Sequence, residues 1–134
     1  MPIDLYAEDI IAQYEHPHNK GRMENASISM HDENPLCGDG ITMHLKIEDG
    51  KIEAAKFEGV GCAVSIATAS MLTDFVKGKG LKEAERMNAQ SMFKLIGFDP
   101  GPVRLKCVTL SLKALKEAIF AYQHKTIDLE TRNL

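Results

Sequence analysis

Apolar and polar residues alternate most regularly between Ile41 and Ile47. Ile41, Met43, Leu45 and Ile47 interleave with Thr42, His44 and Lys46. A two-residue period is that of a strand with one buried face, and it predicts that His44 faces solvent. Glu48-Asp49-Gly50-Lys51 follows as a hairpin turn. Residues 52–57 read as the return strand, and residues 27–30 as a weaker candidate for a preceding one. Gly59-Val60-Gly61-Cys62 is expected to break the sheet. The period then changes. Leu105, Val108, Leu112, Leu115, Ile119 and Tyr122 recur at three- and four-residue steps, which predicts a long amphipathic helix. Residues 64–77 read as another helix, ended by Gly78. Asp4 is placed to cap a first helix with the apolar stripe Leu5, Ile10, Ile11 and Tyr14, and His16-Pro17 ends it. Short helices are expected at 81–87 and 88–96. Residues 16–26 and 97–102 read as loops, and the tail after His124 as frayed. Strands first and helices afterwards predict an α+β fold. Its small antiparallel sheet, of about three strands, packs against several helices, with residues 1–134 forming a single domain.

Composition narrows the function classes. The chain has 134 residues, 44% apolar and 26% charged, which is ordinary for a globular protein. A net charge of -3 argues against nucleic acid as a partner. No apolar stretch approaches the roughly 20 residues that span a bilayer, so no membrane association is expected. Met1-Pro2-Ile3-Asp4 lacks the basic and apolar regions of a signal peptide. A cytoplasmic location is expected. Three cysteines is an odd number, and a reducing compartment disfavours disulfides.

Each cysteine falls at a junction between predicted elements. Cys37 lies in the turn-rich run Asn34-Pro35-Leu36-Cys37-Gly38-Asp39-Gly40, Cys62 follows Gly61 before a helix, and Cys107 lies in the first turns of the last helix. A loop before the first strand of a hairpin and the exit of the second strand share one end, so Cys37 and Cys62 can be neighbours. A final helix starting at that end would add Cys107. Three thiolates and Asp39 would make a four-ligand site for zinc or an iron–sulfur cluster. Helix starts favour thiolates at Cys62 and Cys107, and Arg104 and Lys106 add positive charge beside Cys107. On spacing alone, a shared site and three unrelated cysteines both stand.

Three ordered segments carry a resemblance over nearly the whole chain. Asn34 to Gly40, then Gly59-Val60-Gly61-Cys62-Ala63 with the small-residue helix Ile66-Ala67-Thr68-Ala69-Ser70, then Arg104-Leu105-Lys106-Cys107 resemble the U-type iron–sulfur cluster assembly proteins: IscU, SufU and the N-terminal domain of NifU. Tyr14-Glu15-His16-Pro17-His18-Asn19-Lys20-Gly21 is similar to the family's opening signature, with His16 and His18 as departures. The resemblance implies a scaffold that accepts sulfur from a cysteine desulfurase. It would assemble a transient [2Fe–2S] cluster on Cys37, Asp39, Cys62 and Cys107 and pass it to recipient apo-proteins. Asp39, a harder oxygen ligand, would hold a soft cluster less firmly than a thiolate. Cys107 and Cys37 are the candidate persulfide acceptors, with Lys106 a candidate thiolate stabiliser.

Two departures keep alternatives open. Lys106 stands where IscU-type proteins carry His, as in SufU, whereas the SufU insertion before that segment is missing. The SufU resemblance implies instead a zinc-bound sulfurtransferase that relays persulfide sulfur. A structural zinc domain is the remote third reading, poorly matched by a carboxylate ligand. Pro102-Val103-Arg104 partly resembles the Pro-Val-Lys read by the scaffold's chaperone in IscU systems, but Pro100-Gly101 before it differ, which counts against chaperone binding. His31 and Asp32 are either surface residues or support for the ligands. Met71, Met87 and Met92 read as core filler.

Overall fold

The computed structural model describes residues 3–35 and 38–134, with side chains of the first helix from Glu8 onward. Strands β1 (Ile28–Asn34), β2 (Asp39–Glu48) and β3 (Lys51–Val60) form one antiparallel sheet in the order β1-β2-β3. The β2–β3 hairpin turns at Asp49 and Gly50, with φ of +52° and +72°. Positive φ at both central residues matches the right-handed strand twist. All three strands exceed their expected lengths at the end opposite this turn. Gly40 and Ile41 pair with Val60 and Gly59, and Asn34 pairs with Asp39. Gly59 is still paired within the sheet, and the expected break comes at Gly61, inside the run that predicted it. β3 continues to Val60, directly before Gly61-Cys62.

Six helices accompany the sheet among the described residues: α1 (Ile3–Glu15), α2 (Ala63–Val76), α3 (Leu81–Glu85), α4 (Ala89–Ile96), α5 (Gly101–Tyr122) and α6 (Leu129–Arg132). α5 packs on β1 and β2, α2 on β3, and the two helices touch each other. Ile41, Met43 and Leu45 from the sheet share a core with Leu72, Leu112, Leu115 and Ile119 from these helices. Each such side chain contributes about 1.5–3 kcal/mol by burial. Met92 and Met87 are buried in the same core and Met71 packs against it, as filler. α2 is covered on nearly all sides because its polar residues are small and satisfied. Thr68 Oγ1 donates to the Val64 carbonyl at 2.8 Å, and Thr73 Oγ1 to that of Ser70 at 2.9 Å.

Several local expectations are corrected. Asp4 lies inside α1, not ahead of it. Ile10 is buried, but Ile11 and Tyr14 are exposed, because α1 packs on α2 with only part of its apolar stripe. His44 points to the polar sheet face as the alternation requires, yet it is buried there. Its cross-strand neighbour Ser29 bonds Nδ1 at 2.6 Å and Glu58 closes over Nε2 at 2.7 Å. The 16–26 loop is irregular but docked. Phe57 N–H donates to the Asn19 carbonyl and Gly21 N–H to that of Phe57, covering the outer edge of β3. α5 begins at Gly101, with Pro102 in its first turn where a missing N–H costs nothing. The tail is not frayed. Asp128 caps α6 by accepting from Thr131 N–H at 2.8 Å, and Thr131 and Leu134 are buried. The fully buried Lys116 donates to the Met87 carbonyl at 2.7 Å and pairs with Glu130 at 3.4 Å. No helix among the described residues is long and apolar enough to cross a membrane.

Candidate metal centre

The sheet end away from the hairpin turn collects the chemistry. Asp39 opens β2 in phase with Ile41 and Met43, so its side chain faces the helices and is only 3% exposed. β3 leaves the same end and delivers Cys62 as the N-cap of α2, in extended conformation (φ -72°, ψ 168°). The Cys62 side chain does not cap the helix. The carboxylate of Asp39 reaches over from β2 instead. Its Oδ1 accepts from Cys62 N–H at 3.1 Å, and its Oδ2 accepts from the Ser65 hydroxyl at 2.5 Å. A helix N-terminus has N–H groups without intrahelical partners, and an acid from another strand supplies the acceptor. A Cβ at Gly61 would lie 3.0 Å from Asp39 Cγ and Oδ1, so glycine there admits the carboxylate.

The thiols converge on this acid. Cys62 Sγ is 3.5 Å from Asp39 Oδ2 and 3.4 Å from Ser65 Oγ. α5 brings in Cys107, and one ligand atom each from Asp39, Cys62 and Cys107 lie within 4.8 Å of one another. Thus three of the four residues singled out in the sequence meet, from three different elements. The fourth, Cys37, lies outside the described residues, two positions from Asp39 in the chain. Two soft sulfurs and a harder oxygen at this spacing suit zinc or iron–sulfur chemistry better than magnesium or calcium, which take oxygen ligands. Exposure is graded: Asp39 is buried, Cys107 half-buried and Cys62 exposed. Val60 (78% exposed) precedes Cys62 by two residues, and Val103 (91%) sits one helical turn before Cys107.

The surroundings revise the expected support for Cys107. α5 starts at Gly101, so Cys107 lies almost two turns inside, beyond the first turn where a helix terminus acts. The Lys106 amine donates to the backbone oxygens of Asn133 at 2.9 Å and Leu134 at 2.7 Å, tying down the tail. Arg104 is exposed. His31 bonds Thr42 Oγ1 at 2.8 Å and Glu33 at 3.0 Å on the outer sheet face. Asp32 points the other way, toward α5. Lys113 lies 3.6 Å from Asp32, and Glu117 faces it. Burial, then the hydrogen bond and charge of Asp32, push the Glu117 carboxyl up to about 8 against the opposing pull of Lys113. Burial raises Asp32 as well, but hydrogen bonds from Glu117 and from Glu33 N–H, with the Lys113 charge, outweigh it and hold Asp32 below its ordinary value. None of the described contacts of His31 or Asp32 reaches Asp39, Cys62 or Cys107.

Sequence reasoning missed Ser65. Its one available signal was position: a hydroxyl three residues after the helix N-cap can serve an end group.

The profile of the NifU-like N-terminal domain matches residues 5–128. The iron–sulfur cluster assembly scaffold protein IscU 1 of Archaeoglobus fulgidus is 35% identical over 121 residues, covering 90% of this chain and 78% of its own. The zinc-dependent sulfurtransferase SufU of Bacillus subtilis is 36% identical over 132 residues, covering 86% and 89%. The crystal structure of a nitrogen-fixing NifU-like protein (N-terminal) from Brucella abortus superposes with a TM-score of 0.73 at 21% identity, covering 92% of this chain and 97% of that one, a likeness of fold.

Proposed function

The chain belongs to the NifU-like N-terminal domain family, and from that premise we propose that it is an iron–sulfur cluster assembly scaffold whose ligands are Cys37, Asp39, Cys62 and Cys107. Residues 1–134 act as one domain in this reading, and the cytoplasm is the compartment, where reducing conditions keep thiols available. The carrying observation is the convergence of Asp39, Cys62 and Cys107 within 4.8 Å. Sulfur arrives from a cysteine desulfurase. A thiolate of Cys107 or Cys37 attacks the terminal sulfur of the desulfurase persulfide, the old S–S bond breaks, and the desulfurase thiolate leaves. Reduction of that sulfur to sulfide takes electrons from a donor outside this chain. Iron and sulfide then form a [2Fe–2S] cluster, the protein's cargo, on the thiolates and Asp39. Recipient apo-proteins remove it, with Asp39 the first ligand to let go because a carboxylate binds a soft cluster least firmly.

A second reading is a zinc-bound sulfurtransferase that relays persulfide and builds no cluster. It is favoured by Lys106, in place of the His of IscU-type proteins, and by the relationship to SufU. A closed structural zinc site fits less well, since Cys62 is exposed and one ligand is a carboxylate.

Anaerobic purification with metal analysis and a visible spectrum separates the readings. Cluster absorption with iron and acid-labile sulfide supports the scaffold, and tight stoichiometric zinc supports the sulfurtransferase. Incubation with desulfurase and cysteine, followed by alkylation and mass spectrometry of single Cys→Ser variants, locates the acceptor. Persulfide that persists in Cys107→Ser and vanishes in Cys37→Ser identifies Cys37. Persulfide on no cysteine, with an authentic desulfurase present, leaves the structural zinc reading.

A further inference from the structure

We infer that Ser65 is a positioning residue: its hydroxyl holds Asp39 Oδ2 at the spacing from Cys62 Sγ that two ligands of one metal ion require. The inference rests on the proposed role of Asp39 as a ligand and gives a part to a residue that role does not name.

Covalent geometry leaves a carboxylate loosely aimed. The last torsion of an aspartate is broad and roughly two-fold, so partners decide what its oxygens face. At Asp39 each oxygen has its own donor on α2. Oδ1 accepts from Cys62 N–H at 3.1 Å, and Oδ2 accepts from the Ser65 hydroxyl at 2.5 Å. Two donors in one turn of a helix, one for each oxygen, fix the plane of the carboxylate. Asp39 is 3% exposed and Ser65 1%, so water does little to loosen these bonds. Gly61 leaves the space for them, since a Cβ there would lie 3.0 Å from Asp39 Cγ and Oδ1.

The resulting spacing is that of a metal site. Tetrahedral zinc with sulfur at about 2.3 Å and a carboxylate oxygen at about 2.0–2.2 Å sets those two ligand atoms about 3.5–3.7 Å apart. Asp39 Oδ2 stands 3.5 Å from Cys62 Sγ while it is bonded to Ser65. A carboxylate oxygen can accept two partners, so the Ser65 bond and ligation do not exclude one another. The Cys62 thiol can donate to Oδ2 across the same gap. A metal that displaces that thiol proton meets oxygen and sulfur already in place, and the Cys107 sulfur joins them within 4.8 Å.

Deleting the hydroxyl removes the tether on Oδ2 and lets the carboxylate turn. Ser65→Ala should weaken zinc binding about tenfold, the lower end of the cost of losing a group that orients a ligand. In an Asp39→Ala background the same substitution should change zinc affinity no further, because the carboxylate it orients is gone. Cobalt(II) in place of zinc gives visible bands that follow the ligand set. The bands of Ser65→Ala should move toward those of Asp39→Ala.

The test is chelator competition for zinc on the full chain, with cobalt(II) spectra of wild type, both single variants and the double variant. Weaker zinc in Ser65→Ala, no further loss in the Asp39→Ala background and shifted cobalt bands are the expected result. Unchanged or tighter zinc binding in Ser65→Ala, or cobalt bands that do not move, overturns the inference and leaves the ligand reading intact. An equal loss in both backgrounds does the same and assigns Ser65 to the fold alone. Wild-type protein that cannot take zinc from the chelator, or zinc binding indifferent to Asp39→Ala, overturns the ligand reading and this inference with it.

Discussion

Asp39 on β2 and Asp32 on β1 point to the same side of the sheet, toward the helices, and they meet different helical surroundings. Asp39 meets the N-terminus of α2, where Cys62 N–H and the Ser65 hydroxyl are both aimed at its oxygens. Asp32 meets the middle of α5, where backbone N–H groups are consumed within the helix and the side chain opposite is another acid, Glu117. Asp32 Oδ2 and Glu117 Oε1 are buried, Lys113 pairs with the former at 3.6 Å, and the two acids hydrogen-bond to each other. A carboxylate furnished with donors is held at a helix end beside two thiols. Two carboxyls facing each other must share a proton, which makes a joint between β1 and α5 and no ligand site. Which part of a helix the strand meets separates the two outcomes.

The strongest way to break this contrast is through metal. Cys62→Ser and Cys107→Ser should each lose zinc affinity by well over ~100-fold, beyond the ~10–100-fold typical of losing a group that only supports a ligand. Glu117→Gln should leave zinc affinity at the wild-type level. Chelator competition measures all three, and a comparable loss in Glu117→Gln would merge the two regions into one site.

A smaller effect is expected at Asp39 itself. Asp39→Ala removes the ligand proposed to let go first, so cluster transfer to an apo-ferredoxin should slow several-fold. Asp39→Cys should hold metal more firmly still. The alanine variant also strips the cap from α2 and should lower metal-free stability by about 1–2 kcal/mol. Transfer faster than wild type from either variant contradicts the assignment. Unchanged stability in Asp39→Ala would mean that the cap contributes nothing to the fold.

Much of this was legible in the sequence, for identifiable reasons. β2 and the body of α5 follow from strict periods, because a half-buried strand and a one-sided helix repeat their apolar residues at fixed steps. Cys37 and Asp39 stood out because a thiol among turn residues has no packing reason to be there, and Cys62 and Cys107 because they fall at junctions between predicted elements. Ser65 did not stand out. It lies in a run of small residues, and only the approach of Asp39 from another strand gives it a task. His44 shows that a two-residue period assigns a face but not its coverage, which Ser29 and Glu58 supply across the strands. The tail after His124 reads as polar, yet Lys106 and Lys116 bond to it from α5. Anchors so distant in sequence leave no local pattern.

The smallest expected effect sharpens the comparison from the Glu117 side. In the fold Glu117 keeps its proton up to about pH 8, against an ordinary value of 4.5. Between those values unfolding releases a proton, so native stability falls as pH rises through that window and levels off above about 8. Asp32, held below its ordinary 3.8, acts at the acid end, where its contribution is lost as pH falls through its folded value. The two dependences do not overlap. Glutamine at 117 cannot lose a proton, and its amide can donate to Asp32 at every pH. Glu117→Gln should therefore match wild type near pH 5 and melt a few degrees higher near pH 9, with a flatter profile between. Cysteine titration near the upper end is common to both proteins and cancels in their difference. Thermal melts of the metal-free proteins from pH 5 to 9 provide the measurement. Parallel profiles would mean that Glu117 titrates alike in both states and that the β1–α5 joint holds no shared proton.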